Sequence, residues 1–98
     1  MVDEAQLRNQ YLAQLLAHID THKYYPRMAR RRGLEGVIQV SFTLLPGGEI
    51  SQLQIAGDNR ILCQAANATV RAALPMPLPP EGVPLPMSVS FGMQYRLN

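Results

Sequence analysis

Residues 86–98 read PMSVSFGMQYRLN and alternate between apolar side chains and small or polar ones over their whole length. The apolar positions fall on every second residue, at Met87, Val89, Phe91, Met93, Tyr95 and Leu97. Alternation with a period of two, sustained this long, predicts a β-strand with one face against a core. No later segment of the sequence is available to cover its far side, so we expect this strand to form an open edge of a sheet.

Two further strands are predicted upstream, at 36–45 and 49–56. The first of them places Ile38, Val40 and Phe42 on one face and polar residues on the other, which is the pattern of a half-buried strand. Pro46-Gly47-Gly48 separates the two strands, and its glycines supply the positive φ that a tight reversal needs. The two strands are therefore predicted to form an antiparallel hairpin.

Three segments have helical patterns, because their apolar residues recur at i, i+3, i+4 and i+7 or because proline and glycine mark their ends. The predicted helices are one capped by Asp3 that ends near Ile19, a short one that begins at Tyr24-Tyr25-Pro26 and ends before Gly33, and one over 60–74.

Six prolines fall between positions 75 and 86. So many prolines predict an extended connector rather than a helix or a paired strand.

The order helix, helix, strand, strand, helix, strand restricts the topology. A helical crossover normally returns the chain parallel to the strand it left, so the last strand is antiparallel to the first if the two are neighbours. We therefore predict an α+β fold, a three-stranded antiparallel sheet in the order 2-1-3 with the helices packed on one face. Residues 1–98 form one domain, in which an N-terminal helix and loop (1–23) precede a core ββαβ module with its short helix (24–98).

Composition excludes several classes of function. The chain has 98 residues, a net charge of +2 and a single cysteine, so an intramolecular disulfide cannot form. No apolar run approaches the ~20 residues of a membrane span, and no signal peptide is evident. The protein is therefore cytosolic or a soluble piece of a longer chain. Its seven acidic residues are scattered and form no catalytic constellation, so we predict neither an enzyme nor a cofactor.

The combination of short motifs resembles the C-terminal domain of TonB-family proteins. The likeness covers most of the chain from about Tyr11 and depends on the order of its parts. These parts are Tyr25-Pro26-x-x-Ala29, Arg31-Arg32-Gly33-x-x-Gly36, Val40-x-Phe42-x-Leu44, the glycine turn at Gly48, the third helix, the proline connector and the last strand.

The resemblance implies a periplasmic domain of a Gram-negative energy transducer, whose inner-membrane helix and proline-rich spacer would lie outside this chain. Such a protein works with a proton-driven ExbB–ExbD-like motor, and its C-terminal domain binds the TonB box of an outer-membrane receptor for siderophore, haem or cobalamin uptake. In the family, the box adds a strand to the last strand and touches the Tyr-Pro motif. The implied partner-binding residues are His22, Lys23, Tyr24, Tyr25, Pro26, Ser88, Val89, Ser90, Phe91, Gly92, Met93, Gln94 and Tyr95.

A basic cluster at Arg27, Arg30, Arg31 and Arg32 permits several interpretations. It is a solvated helix end that complements the helix dipole, or it contacts acidic residues near a receptor box, or it meets lipid headgroups. Nucleic acid is not expected, because few aromatic residues accompany the cations. His18 and His22 have the i, i+4 spacing of two metal ligands but no third ligand, so no metal site is predicted.

A different interaction domain remains the alternative to a transducer domain. A periplasmic scaffold with another ligand, or a homodimer formed by pairing of the last strand with its own copy, would use the same open edge. The sequence upstream of this chain, the size of the domain in solution and titration with TonB-box peptides distinguish these hypotheses.

Overall fold

The computed structural model describes residues 3–97. Three helices and three strands follow one another in the predicted order: α1 (Glu4–Asp20), α2 (Arg27–Arg31), β1 (Gly36–Leu44), β2 (Ile50–Ala56), α3 (Arg60–Ala72) and β3 (Met87–Tyr95). Over these residues, no helix combines the length and the hydropathy needed to cross a bilayer.

The sheet has the order β2-β1-β3, with both neighbouring pairs antiparallel. The long pairing of β1 with β3 runs from Gly36 opposite Tyr95 to Leu44 opposite Met87. One face of the sheet supplies the core, which includes Ile38, Val40, Phe42, Val89 and Met93, and α3 packs against β1 and β2 on this face. The predicted α+β fold with a 2-1-3 sheet is confirmed.

Local capping explains where the helices begin. The Asp3 carboxylate accepts a hydrogen bond from the Gln6 N–H at 2.7 Å, and the Asn59 side-chain oxygen accepts one from the Leu62 N–H at 3.1 Å. Each bond satisfies an N–H that has no partner inside its helix. Pro26 lies just before α2 rather than inside it.

The predicted boundaries differ from the observed ones by a few residues. The third helix ends at Ala72 rather than at Leu74, because Pro75 disfavours a helical conformation at the residue before it. The last strand ends at Tyr95, earlier than the predicted position 98, which lies outside the described residues. The first two strands are each one residue shorter than predicted, since Leu45 and Glu49 belong to the turn.

The proline connector is fixed at two points. The Met76 N–H donates to the Gly48 carbonyl at 2.9 Å, and the Tyr11 hydroxyl donates to the Pro77 carbonyl at 2.6 Å. Gly48 has φ +86°, and a Cβ there would lie 2.5 Å from the Met76 oxygen, so this position requires glycine. The connector therefore joins the hairpin turn to α1.

Burial of tyrosine hydroxyls predicts a loss of stability in alkali. Burial raises the pKa of Tyr11 above its ordinary value of 10.0. The unfolded chain therefore loses the Tyr11 proton at a lower pH than the folded protein does. The contribution of the protonated hydroxyl to the free energy of unfolding is complete below about pH 10, and it is lost as the pH rises through the folded-state pKa. We expect Tyr11→Phe to lower the free energy of unfolding by about 1 kcal/mol at pH 7 and to weaken the decline of this free energy as the pH rises above about 10.

Urea denaturation across this pH range measures both effects. Tyr24→Phe is the control, because the Tyr24 side chain is 49% exposed and its loss removes no buried hydrogen bond. An alkaline decline as steep in Tyr11→Phe as in the unmodified protein would contradict the assignment.

Candidate functional site: the outer edge of the last strand

The outer edge of β3 has no strand beside it within residues 3–97. The direction of its backbone groups follows from the hairpin, where the Leu45 N–H donates to the Glu49 carbonyl at 2.8 Å and so points towards β2. The N–H and C=O groups of successive residues point to opposite sides of a strand, so those of Leu44 and Phe42 point towards β3. The backbone N–H and C=O groups of their partners, Met87 and Val89, point back towards β1.

The remaining residues of β3 therefore direct their N–H and C=O groups away from the sheet, at Ser88, Ser90, Gly92 and Gln94. A second contact agrees with this assignment. The Gln94 carbonyl accepts a hydrogen bond from Lys23 Nζ at 2.5 Å, which reaches it from outside the sheet. The side chains of Ser88, Ser90 and Gln94 also lie on the exposed face of the sheet.

This geometry divides the predicted strand residues into two sets. Four of them offer outward backbone groups, whereas Val89, Phe91, Met93 and Tyr95 direct their backbone to β1 and their side chains to the core face. The edge is also less open than expected near its C-terminal end, because Lys23 occupies the Gln94 carbonyl. Free backbone groups are concentrated at Ser88, Ser90 and Gly92.

Residues 22–26, here called the Tyr-Pro corner, lie at the end of this edge. The Tyr25 ring packs edge-on against Tyr95 with 5.5 Å between centroids, and its hydroxyl donates to the Leu34 carbonyl. Lys23 Nζ lies 5.4 Å from the centre of the Tyr95 ring. Tyr24 and His22 are exposed. The structure thus brings the two predicted groups, from opposite ends of the chain, to one end of the sheet.

The arginine cluster, which consists of three arginines of α2 and the residue that follows it, adjoins the same corner. All four arginines, Arg27, Arg30, Arg31 and Arg32, are exposed. Among residues 3–97 they form no ion pair with a carboxylate, and Arg30 stacks over the Tyr25 ring at 5.5 Å. This group of cations without anionic partners creates a positive potential near the end of β3.

The sequence did not point to α1 as part of the site. Its C-terminal half lies beside β3, where Leu16, Ala17 and Asp20 face the edge across a groove. Leu16 belongs to the apolar stripe that predicts the helix, but the stripe does not reveal which residues reach the core and which reach β3.

His18 and the single cysteine, Cys63, make structural contacts. His18 is half-buried, and its Nε2 lies 2.8 Å from the Ala73 carbonyl oxygen. Cys63 Sγ lies 3.7 Å from the Gly57 carbonyl oxygen. Across the described part of the chain, no three His, Cys, Asp or Glu side chains are grouped so as to hold a metal ion.

Comparison with known proteins identifies a single family. Residues 21–97 match the family described as Gram-negative bacterial TonB protein C-terminal. Protein TonB of Helicobacter pylori strain J99 is 30% identical over 89 residues, which cover 88% of this chain and 32% of that protein. Protein TonB of Pasteurella multocida is 35% identical over 92 residues, which cover 92% of this chain and 35% of that protein. The chain thus spans about a third of the length of these relatives.

Solved structures agree with the sequence match. An NMR solution structure of the Helicobacter pylori TonB C-terminal domain superimposes with a TM-score of 0.75 at 27% identity, covering 92% of this chain and 83% of that one. A second, shorter form of the same domain gives a TM-score of 0.66 at 26% identity, covering 87% and 91%.

Proposed function

Because the chain belongs to the family of Gram-negative bacterial TonB protein C-terminal domains, we propose that it is the receptor-binding domain of an energy transducer. It binds the TonB box of an outer-membrane transporter by accepting it as a fourth strand of the sheet. TonB homologues are energy transducers and not enzymes. This chain is likewise not an enzyme.

The outward backbone of β3 is the observation that carries this proposal. Ser88, Ser90 and Gly92 present N–H and C=O groups with no partner strand among residues 3–97, and an extended peptide satisfies such groups through main-chain hydrogen bonds. Each bond contributes roughly 1 kcal/mol net, so six such bonds give about 6 kcal/mol, which corresponds to reversible binding with a Kd of tens of micromolar.

Side chains at the corner add to the contact. His22, Lys23, Tyr24, Tyr25 and Pro26 lie at the end of the captured strand. The arginines of α2 complement acidic residues that flank the segment, since they have no carboxylate partner among residues 3–97. Their contribution is electrostatic and exposed, so it weakens with added salt.

We propose the wider assembly by analogy with the family. The domain works in the periplasm, and the complete protein is anchored in the inner membrane by a helix outside this chain and coupled to an ExbB–ExbD-like motor. Tension passed through the captured strand opens the receptor for uptake of siderophore, haem or cobalamin. Several hydrogen bonds loaded together in shear resist such a pull better than the same bonds loaded one at a time.

Calorimetric titration with TonB-box peptides of the source organism's receptors tests the proposal. We expect the native peptides to bind and scrambled peptides of the same composition not to bind. Sedimentation measured in the same buffer detects a homodimer that uses the edge itself. Absence of binding to every native box peptide by a monomeric domain would overturn the proposal.

A further inference from the structure

A groove separates α1 from the outer edge of β3. It is lined by Leu16, Ala17, Ile19, Asp20 and Lys23 on one side and by the stretch Phe91-Gly92-Met93-Gln94 on the other, with a volume of about 390 Å³. Neighbouring strands lie about 4.8 Å apart, so a strand paired with the outer edge of β3 would lie in this groove.

The α1 wall of this groove is held firmly in place. Tyr11, Leu15 and Ile19 are buried in the core, and Ile19 also lines the groove. Tyr11 and His18 also contact the main chain of the connector and of the residue that follows α3, at Pro77 and Ala73. A strand entering the groove therefore meets a fixed surface rather than a mobile segment.

Leu16 differs from the other leucines of α1 in its surroundings. Leu7 and Leu12 are partly buried and pack against the core cluster, and Leu15 is completely buried within it. Leu16 is half-buried but is not packed against that cluster, and it lines the groove instead. Its apolar surface is thus available to an occupant of the groove.

From these contacts we infer that α1 is the second wall of the binding site, and that Leu16 and Ala17 select segments with apolar side chains at alternate positions. The inference rests on the proposed strand addition. Residues opposite Phe91 and Met93 place their side chains on the same face of the sheet as these two, towards Leu16. Intervening residues lie beside Gly92 on the exposed face, where polar side chains remain in water.

This wall is absent from the part of the chain that matches the family, because the match begins at residue 21 and α1 ends at Asp20. The alignment with the Helicobacter pylori domain covers 92% of this chain and so includes most of α1. A segment that reaches as far as Gln94 also has to displace Lys23 Nζ from its carbonyl.

Two peptides and three variants of the complete chain test the inference. The peptides are a box peptide that binds and its derivative with alanine at the alternating apolar positions. The variants are Leu16→Ala, Ala17→Tyr, which narrows the groove from an exposed position, and the control Leu12→Ala, which removes a leucine one turn away that packs on the core. Calorimetry below the melting temperature of each variant measures all affinities.

We expect Leu16→Ala to lower the affinity for the apolar peptide on the order of tenfold and to abolish its advantage over the alanine derivative. Ala17→Tyr is expected to weaken both peptides, and Leu12→Ala to preserve the unmodified preference. If Leu16→Ala and Ala17→Tyr bind both peptides as the unmodified chain does, the wall is excluded while strand addition stands. Failure of strand addition itself appears separately, as absence of binding by the unmodified chain.

Discussion

Replacing Ser90 by proline is expected to lower the affinity for a TonB-box peptide by about 10- to 100-fold while changing the stability of the domain little. The Ser90 N–H points away from β1, so its removal breaks no bond of the sheet. It does remove a donor needed by the incoming strand, and the proline ring occupies space beside it. A lost hydrogen bond together with this steric conflict costs about 1–3 kcal/mol.

Two control variants separate the backbone from the side chain. Ser90→Ala keeps the N–H and should bind normally, because strand addition uses main-chain groups. Val89→Pro removes an N–H directed at β1 and should unfold the domain. Equal affinity of Ser90→Pro and Ser90→Ala would contradict strand addition at this edge.

Replacing Leu15 by alanine is expected to lower the free energy of unfolding by about 2–5 kcal/mol. Leu15 is fully buried, and α1 packs against α3. A loss of this size is a large part of the total stability of a small domain, which is about 5–15 kcal/mol. It would establish that α1, although outside residues 21–97, is an integral part of the fold.

Urea denaturation measures the free energy of unfolding of Leu15→Ala and of the control Gln14→Ala, which changes the neighbouring position of the same helix. Gln14 is exposed, so its substitution should change stability by less than about 0.5 kcal/mol. Equal stabilities of the two variants would show that α1 is docked only weakly, and would also remove the fixed wall on which the groove depends.

Local patterns in the sequence predict much of this fold. The alternation of β3 is predictive because a strand with one buried face needs it, and Pro46-Gly47-Gly48 is predictive because few other residues adopt the positive φ of this turn. The hairpin and the crossover then leave β1 in the centre. The motifs around Tyr25 and Pro26 similarly point to the corner of the candidate site.

The contacts that shape the groove cannot be predicted in this way. Lys23 reaches the Gln94 carbonyl across 71 residues of sequence. The apolar stripe of α1 shows that the helix packs, but it does not separate Leu15, which is buried in the core, from Leu16, which faces the edge. Such assignments depend on the angle at which α1 docks, and that angle is set by tertiary contacts such as the one between Tyr11 and Pro77.

Amide hydrogen exchange of the domain, with and without a saturating box peptide, tests strand addition most directly. Val89, Phe91 and Met93 should exchange slowly in both states, because their N–H groups already bond to β1. The outward amides of Ser88, Ser90, Gly92 and Gln94 should exchange faster in the free domain and slow by about tenfold or more when the peptide binds. Protection that alternates along β3 in this way is the predicted result. A peptide that binds without slowing exchange at any of these four amides would contradict it.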